Sequence, residues 1–89
     1  MSKHTSHANI AKRLKRVYGH LNKVIEMIDE ERSCLDVAQQ LQAVCSSLNG
    51  AKKAFIQDHV EHCLDEGLTA DAKSARKAFN EMKEIAKYL

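Results

Sequence analysis

The sequence predicts an all-α protein, a three-helix protomer that pairs with a second copy into an antiparallel helical-bundle dimer. Three observations predict it. The 89 residues are 44% hydrophobic yet contain no proline, no tryptophan and only two Phe and two Tyr, a composition suited to aliphatic helix seams and not to a β-sandwich. Apolar residues recur every three or four positions over almost the whole chain. Finally, residues suited to holding a metal stand at opposite ends of the longest helix, where one straight chain cannot bring them together. A chain of this length buries only about 60–65% of its unfolded surface and gains stability by oligomerising.

Residues 1–7 lack an apolar periodicity and are expected to form a tail, with Asn9 as the N-cap of the helix that follows. Helix 1 is predicted over about 8–31. Its apolar positions Ile10, Leu14, Val17, Leu21, Val24 and Ile28 step by 4, 3, 4, 3 and 4, the most regular heptad signal in the chain. The polar run Asp29, Glu30, Glu31, Arg32 closes it. Ser33 then caps helix 2, with Asp36 three positions on. Helix 2 spans about 33–66 on Leu35, Ala38, Leu41, Val44, Cys45, Leu48, Ala51, Phe55 and Ile56. Gly50 is its weak point, costing about 1 kcal/mol against alanine. Gly67 is the expected stop and Thr69 the cap of helix 3, over about 69–88. The whole chain, 1–89, reads as a single domain.

Function classes narrow quickly. No apolar run is long enough to span a bilayer and no signal peptide follows Met1, so a cytoplasmic protein without a membrane partner is expected. Three cysteines argue against a disulfide framework. No nucleophile elbow, phosphate loop or zinc-protease motif is present, and no enzyme is expected. The net charge of +2 is unevenly spread: residues 1–25 hold Lys3, Lys12, Arg13, Lys15, Arg16 and Lys23 and no acid. Lys52 and Lys53 add a pair in helix 2. An ordinary solvated face is the plainer reading, and phosphate contact with duplex DNA is the functional one.

The metal-ligating types are Cys34, His59 and Cys63. His59 and Cys63 are four apart and share a helix face. Cys34 stands 25 positions before His59, roughly 37 Å away at about 1.5 Å per residue. A second, antiparallel copy brings Cys34 beside His59 and Cys63 of its partner, because the two ends are equidistant from a point near Ser47 and Leu48. Cys45 falls near that axis and reads as core packing. Two thiolates and an imidazole form a soft set suited to Cu(I). Extra nitrogen donors from His4, His7 or His62 would favour Ni(II) or cobalt. The plainer readings are a buried cysteine, a histidine at a helix rim and a solvated tail.

These residues resemble the copper-sensing operon repressor family, which also contains nickel/cobalt, persulfide and formaldehyde sensors. The likeness rests on Arg13-Leu14-Lys15-Arg16-Val17-Tyr18-Gly19-His20-Leu21, on Cys34-Leu35-Asp36-Val37 and Gln40-Leu41-Gln42-Ala43-Val44, on Ser46-Ser47-Leu48, and on His59-Val60-Glu61-His62-Cys63. It implies an all-helical homodimer that pairs into a homotetramer, binds double-stranded operator DNA without ligand and lets go when ligand binds. It places Cys34, His59 and Cys63 in a copper set shared between protomers. It also makes Glu81 the helix 3 carboxylate behind His59, once a two-residue length difference between helices 2 and 3 is allowed. Arg13 matches a basic residue implicated in DNA binding, beside Lys15 and Arg16. A second such position is Gly50 here, with Lys52 or Lys53 in its place, and the tyrosine that often precedes the first ligand is Ser33. Ser2 replaces the proline of formaldehyde sensors, and His59 is absent from persulfide sensors. Cu(I) is therefore the expected ligand and Ni(II) the alternative. Rival readings are a persulfide-responsive repressor, a copper-buffering metallochaperone that ignores DNA, and a purely structural oligomerisation module.

Overall fold

The computed structural model describes the backbone of residues 6–69 and 71–89; within that span the side chains of Ser6, Cys63 and residues 66–69 lie outside the description. Three helices form, α1 (Ser6–Asp29), α2 (Cys34–Thr69) and α3 (Ala72–Ala86), with no strand among the described residues. The 36-residue α2 is the spine. α1 runs antiparallel along its first two thirds, α3 folds back along its last third, and among the described residues α1 and α3 do not pack on each other.

Local chemistry sets the breaks. α1 ends at a left-handed Glu31, φ 57°. Around it, Glu31 N–H donates to Ile28 C=O at 3.0 Å and Arg32 N–H to Met27 C=O at 2.9 Å, the paired bonds of a Schellman stop. Ser33 caps α2 as expected, its Oγ accepting from Asp36 N–H at 3.1 Å.

The other boundaries differ from the sequence reading. α1 begins at Ser6, so Asn9 lies inside it and caps nothing. The early start has a packing cause, because the His7 ring stacks on Phe55 of α2 at 5.1 Å and 17°. α2 continues through Gly67 to Thr69, and among the described residues no glycine adopts a positive φ. The cap of α3 is Asp71 and not Thr69: its carboxylate accepts from Ser74 N–H at 2.8 Å. A glycine only permits a stop; here the next helix's cap fixes it two residues later.

The described core is small: Ile10, Val24 and Met27 of α1 against Val44, Ala51 and Ile56 of α2. The helix 1 heptad divides in two. Ile10, Val17 and Val24 turn toward α2, whereas Leu14, Leu21 and Ile28 stay 40–55% exposed. On α2, Leu41, Leu48 and Phe55, seven apart, are likewise 41–50% exposed, with Cys45 beside them. Cys45 is thus outside the protomer's own core. The molecule measures 59 × 23 × 13 Å, with a radius of gyration of 18.0 Å against about 12 Å for a compact domain of this length. The protomer is a slab with exposed leucine rows on both long helices.

Candidate metal centre and nucleic-acid interface

His59 sits where α3 crosses the last third of α2. Its Nε2 lies 2.8 Å from Oε1 of Glu81. Two antiparallel helices joined by a two-residue break bring the eleventh residue before and the tenth after that break level, which is how the sequence delivers Glu81 to His59. His59 is mostly covered, its side chain 15% exposed, while Glu81 is half in solvent. In the neutral imidazole Nε2–H donates to the carboxylate, and Nδ1 carries the lone pair with which the ring would bind a metal.

Cys34 opens α2 at the opposite end, its thiol exposed. It borders an apolar hollow of about 340 Å³ lined by Ile28, Arg32, Val37, Ala38 and Leu41. The Cys63 ligand expected from the sequence has its side chain outside the described residues, as does all of His4. Among the described residues no three metal-binding side chains gather within one protomer. The donors fit a soft metal by type: a ring oriented by a carboxylate at one end of α2 and an accessible thiol at the other.

His7 lies on a different side of α2. Its Nε2 is 3.5 Å from Asp58 and its ring covers Phe55. Asp58 faces α1 and the adjacent His59 faces α3, about 100° apart round the helix. His62 is half-buried on the same turn. The tail reading of His7 is therefore corrected: the ring is a packing element of the α1–α2 seam.

The basic residues occupy the middle of that seam. Its register is set by three pairs: His7 opposite Asp58, Arg13 opposite Gly50, and His20 opposite Gln40. From residue 8 to 25 and from 37 to 57 there is no acid, while Lys12, Arg13, Lys15, Arg16, Lys23, Lys52 and Lys53 fall in these spans. Arg13 is half-buried; Lys15, Arg16, Lys52 and Lys53 are exposed. The acids collect at the two ends of the hairpin, beside Cys34 and beside His59. The sequence did not single out His20 and Gln40, whose side chains tie α1 to α2, or Ser47, which lines the cleft between them. The available signal was spacing: 13, 16, 17 and 20 share one face of α1, and 40, 47 and 50 one face of α2.

Comparison with known proteins follows the same lines. Residues 6–89 match the family of metal-sensitive transcriptional repressors. The copper-sensing transcriptional repressor RicR of Mycobacterium tuberculosis is 38% identical over 72 residues, 75% of each chain. The copper-sensing repressor CsoR of the same organism is 41% identical over 52 residues, 58% of this chain and 44% of that one, so less than half of that relative's length is matched. CsoR of Bacillus subtilis is 26% identical over 78 residues, 88% of this chain and 75% of that one. Among solved structures, the nickel-responsive transcriptional regulator InrS superposes with a TM-score of 0.82 at 25% identity, covering 99% of this chain and 97% of that one. Three helices in this arrangement and a family match across nearly the whole chain give one conclusion: this protein belongs to the metal-sensitive transcriptional repressors, a family of regulators and not of enzymes.

Proposed function

We propose that this repressor senses copper, holding operator DNA in the metal-free state and releasing it when Cu(I) binds. The observation that carries the reading is the 2.8 Å contact between His59 and Glu81, which orients one ligand of a Cys34–His59–Cys63 set split across the length of α2. Cys34 of one protomer with His59 and Cys63 of its partner would hold the metal, and Cu(I) there would supply bonding to two thiolates and one imidazole. The uncovered rows through Leu14, Leu21 and Ile28 and through Leu41, Leu48 and Phe55 supply the apolar surface that such pairing, and a homotetramer built from it, would cover.

His59 holds Glu81, and Glu81 stands on α3, which has no fully buried residue and rests on half-buried Ala75, Ala78, Met82 and Ile85. Any turn of the His59 ring is therefore felt by the most weakly packed element. Arg13, Lys15, Arg16, Lys52 and Lys53 supply the contacts to DNA phosphates. For release, the loaded state must be the one that grips DNA less; a coupling of about 1–3 kcal/mol, 5–150-fold in affinity, is typical.

Nickel is the second reading, favoured by the likeness to the nickel-responsive InrS. One experiment separates the two. Metal-free protein is bound to a fluorescent duplex recovered by selection from random DNA, then titrated anaerobically with Cu(I) or Ni(II) while anisotropy and metal uptake are read together. Stoichiometric Cu(I) uptake with loss of anisotropy supports copper sensing. Release by Ni(II) alone supports nickel. Uptake of Cu(I) by a protein that never retains DNA supports a metallochaperone.

A further inference from the structure

Between α1 and α2, Arg13, Arg16, Val17, His20 and Ser47 line an open cleft of about 300 Å³, roughly ten times the volume of a water. Two features give it a fixed shape. His20 Nε2–H donates to Gln40 Oε1 at 2.7 Å, tying the two helices at one end. At the other end Gly50 is half-buried, and a Cβ added there would stand 3.0 Å from Nη2 of Arg13. The Arg13 guanidinium thus lies close against helix 2 at Gly50, where a Cβ would crowd its end.

No acid lines the cleft, while Asp58 and Glu61 line an adjoining hollow that Arg13 also borders. The cations nearby in sequence are Lys12, Lys15 and Lys23 on α1 and Lys52 and Lys53 on α2. Helix interiors select against glycine by about 1 kcal/mol relative to alanine. A glycine with an arginine end close against it, beside a cleft that no acid lines, has a reason to be there.

We propose that this cleft is the seat of a DNA backbone phosphate. Arg13 and Arg16 supply charge, Ser47 Oγ–H supplies a further donor, the His20–Gln40 bond holds the two walls of the cleft together, and Gly50 is the positioning residue that lets Arg13 reach the seat. The inference rests on the DNA-binding reading above and adds to it His20, Ser47 and Gly50, none of which is a cation that composition would single out. The occupant is a phosphodiester of the duplex, since such a seat holds one phosphate and leaves Lys12, Lys15, Lys52 and Lys53 for its neighbours along the strand.

The test substitutes Gly50 without changing charge. Gly50→Met crowds the Arg13 end with an unbranched helix former, and Gly50→Ala crowds it less. Full-length metal-free protein is titrated onto the selected duplex at several salt concentrations, with thermal unfolding followed on the same samples. Lys87→Gln, on α3 and paired with Glu84, is the control and is expected to match the parent. The seat predicts that Gly50→Met binds about tenfold more weakly, with a salt slope lower by about 0.9 for each seat lost. Gly50→Ala is expected to bind a few-fold more weakly although it melts at a higher temperature. Should the methionine variant fail to fold, the alanine variant carries the test, because it favours the helix. Unchanged affinity and slope in the folded variants overturn the seat and leave the repressor reading standing. Weaker binding with an unchanged slope also overturns it, because the loss is then not of a phosphate contact. A parent protein that retains no duplex at any salt concentration overturns the DNA reading and the seat with it.

Discussion

Glu81→Gln tests the contact on which the sensing account turns. The substitution keeps size and shape but replaces the carboxylate that accepts from His59 Nε2 across 2.8 Å with a neutral amide. A hydrogen bond to a charged group contributes about 1.5–3 kcal/mol net. Glu81 is 52% exposed, so solvent screening brings the figure below that range, to about 1 kcal/mol. That is roughly fivefold in an equilibrium constant. If the bond carries the effect of metal to α3, the ratio of DNA dissociation constants with and without Cu(I) falls about fivefold. Metal-free DNA binding stays as in the parent, because Glu81 lies outside the cationic seam. The assay is operator anisotropy at several Cu(I) ratios, with uptake measured in parallel. A variant that binds one Cu(I) per protomer and keeps the parental ratio within twofold refutes the role given to Glu81. A variant that no longer takes up copper shows instead that the carboxylate serves the ligand ring alone.

Cys34→Ala is expected to retain operator DNA with parental affinity and to lose Cu(I)-driven release, read by the same anisotropy titration. Leu48→Asp places a charge in the exposed row of α2. With about 1.5 kcal/mol or more of apolar burial lost from each of two copies, the dimer dissociation constant is expected to rise at least about 100-fold in sedimentation equilibrium. Glu31→Gly relieves a left-handed non-glycine and removes an acid from the carboxyl end of α1. It is expected to raise unfolding free energy by about 1 kcal/mol in urea titration. The Asp71 carboxyl is held below its ordinary value chiefly by the Ser74 backbone N–H. A depressed native value means the cap's contribution is present above the unfolded value and lost as pH falls below about 4. Helical circular dichroism is expected to drop in that range by less in Asp71→Asn, whose amide caps without titrating.

Helix number, order and the paired seams were legible in the sequence because each rests on periodicity, which survives without coordinates. Ile10, Val17 and Val24 face inward and Leu14, Leu21 and Ile28 outward, a division that the 3–4 stepping contains but does not assign. Boundaries were less legible. Gly67 and Thr69 each carry a local preference to end or begin a helix, and Asp71, with Ser74 in reach, prevailed over both. His7 looked like tail because residues 2–7 are all polar; its partner Phe55 is 48 residues away. At the candidate site the i,i+4 spacing named His59, and the family likeness named Glu81, which local pattern alone does not reach. Arg13 stood out by charge. Its resting place against Gly50, and the tie between His20 and Gln40, depend on the register of α1 against α2, which no single-helix pattern encodes.

A copper site assembled from two chains can be rebuilt by mixing variants that each lack one half of it. Cys34→Ala and Cys63→Ala homodimers each lack an intact Cys–His–Cys set. After denaturation and refolding together in equal amounts, half the dimers are mixed, and each of these regains one site from Cys34 of one chain with His59 and Cys63 of the other. The account predicts no high-affinity Cu(I) uptake by either variant alone and about a quarter of the parental uptake in the mixture. Uptake that stays absent on mixing, or that either variant retains alone, contradicts it.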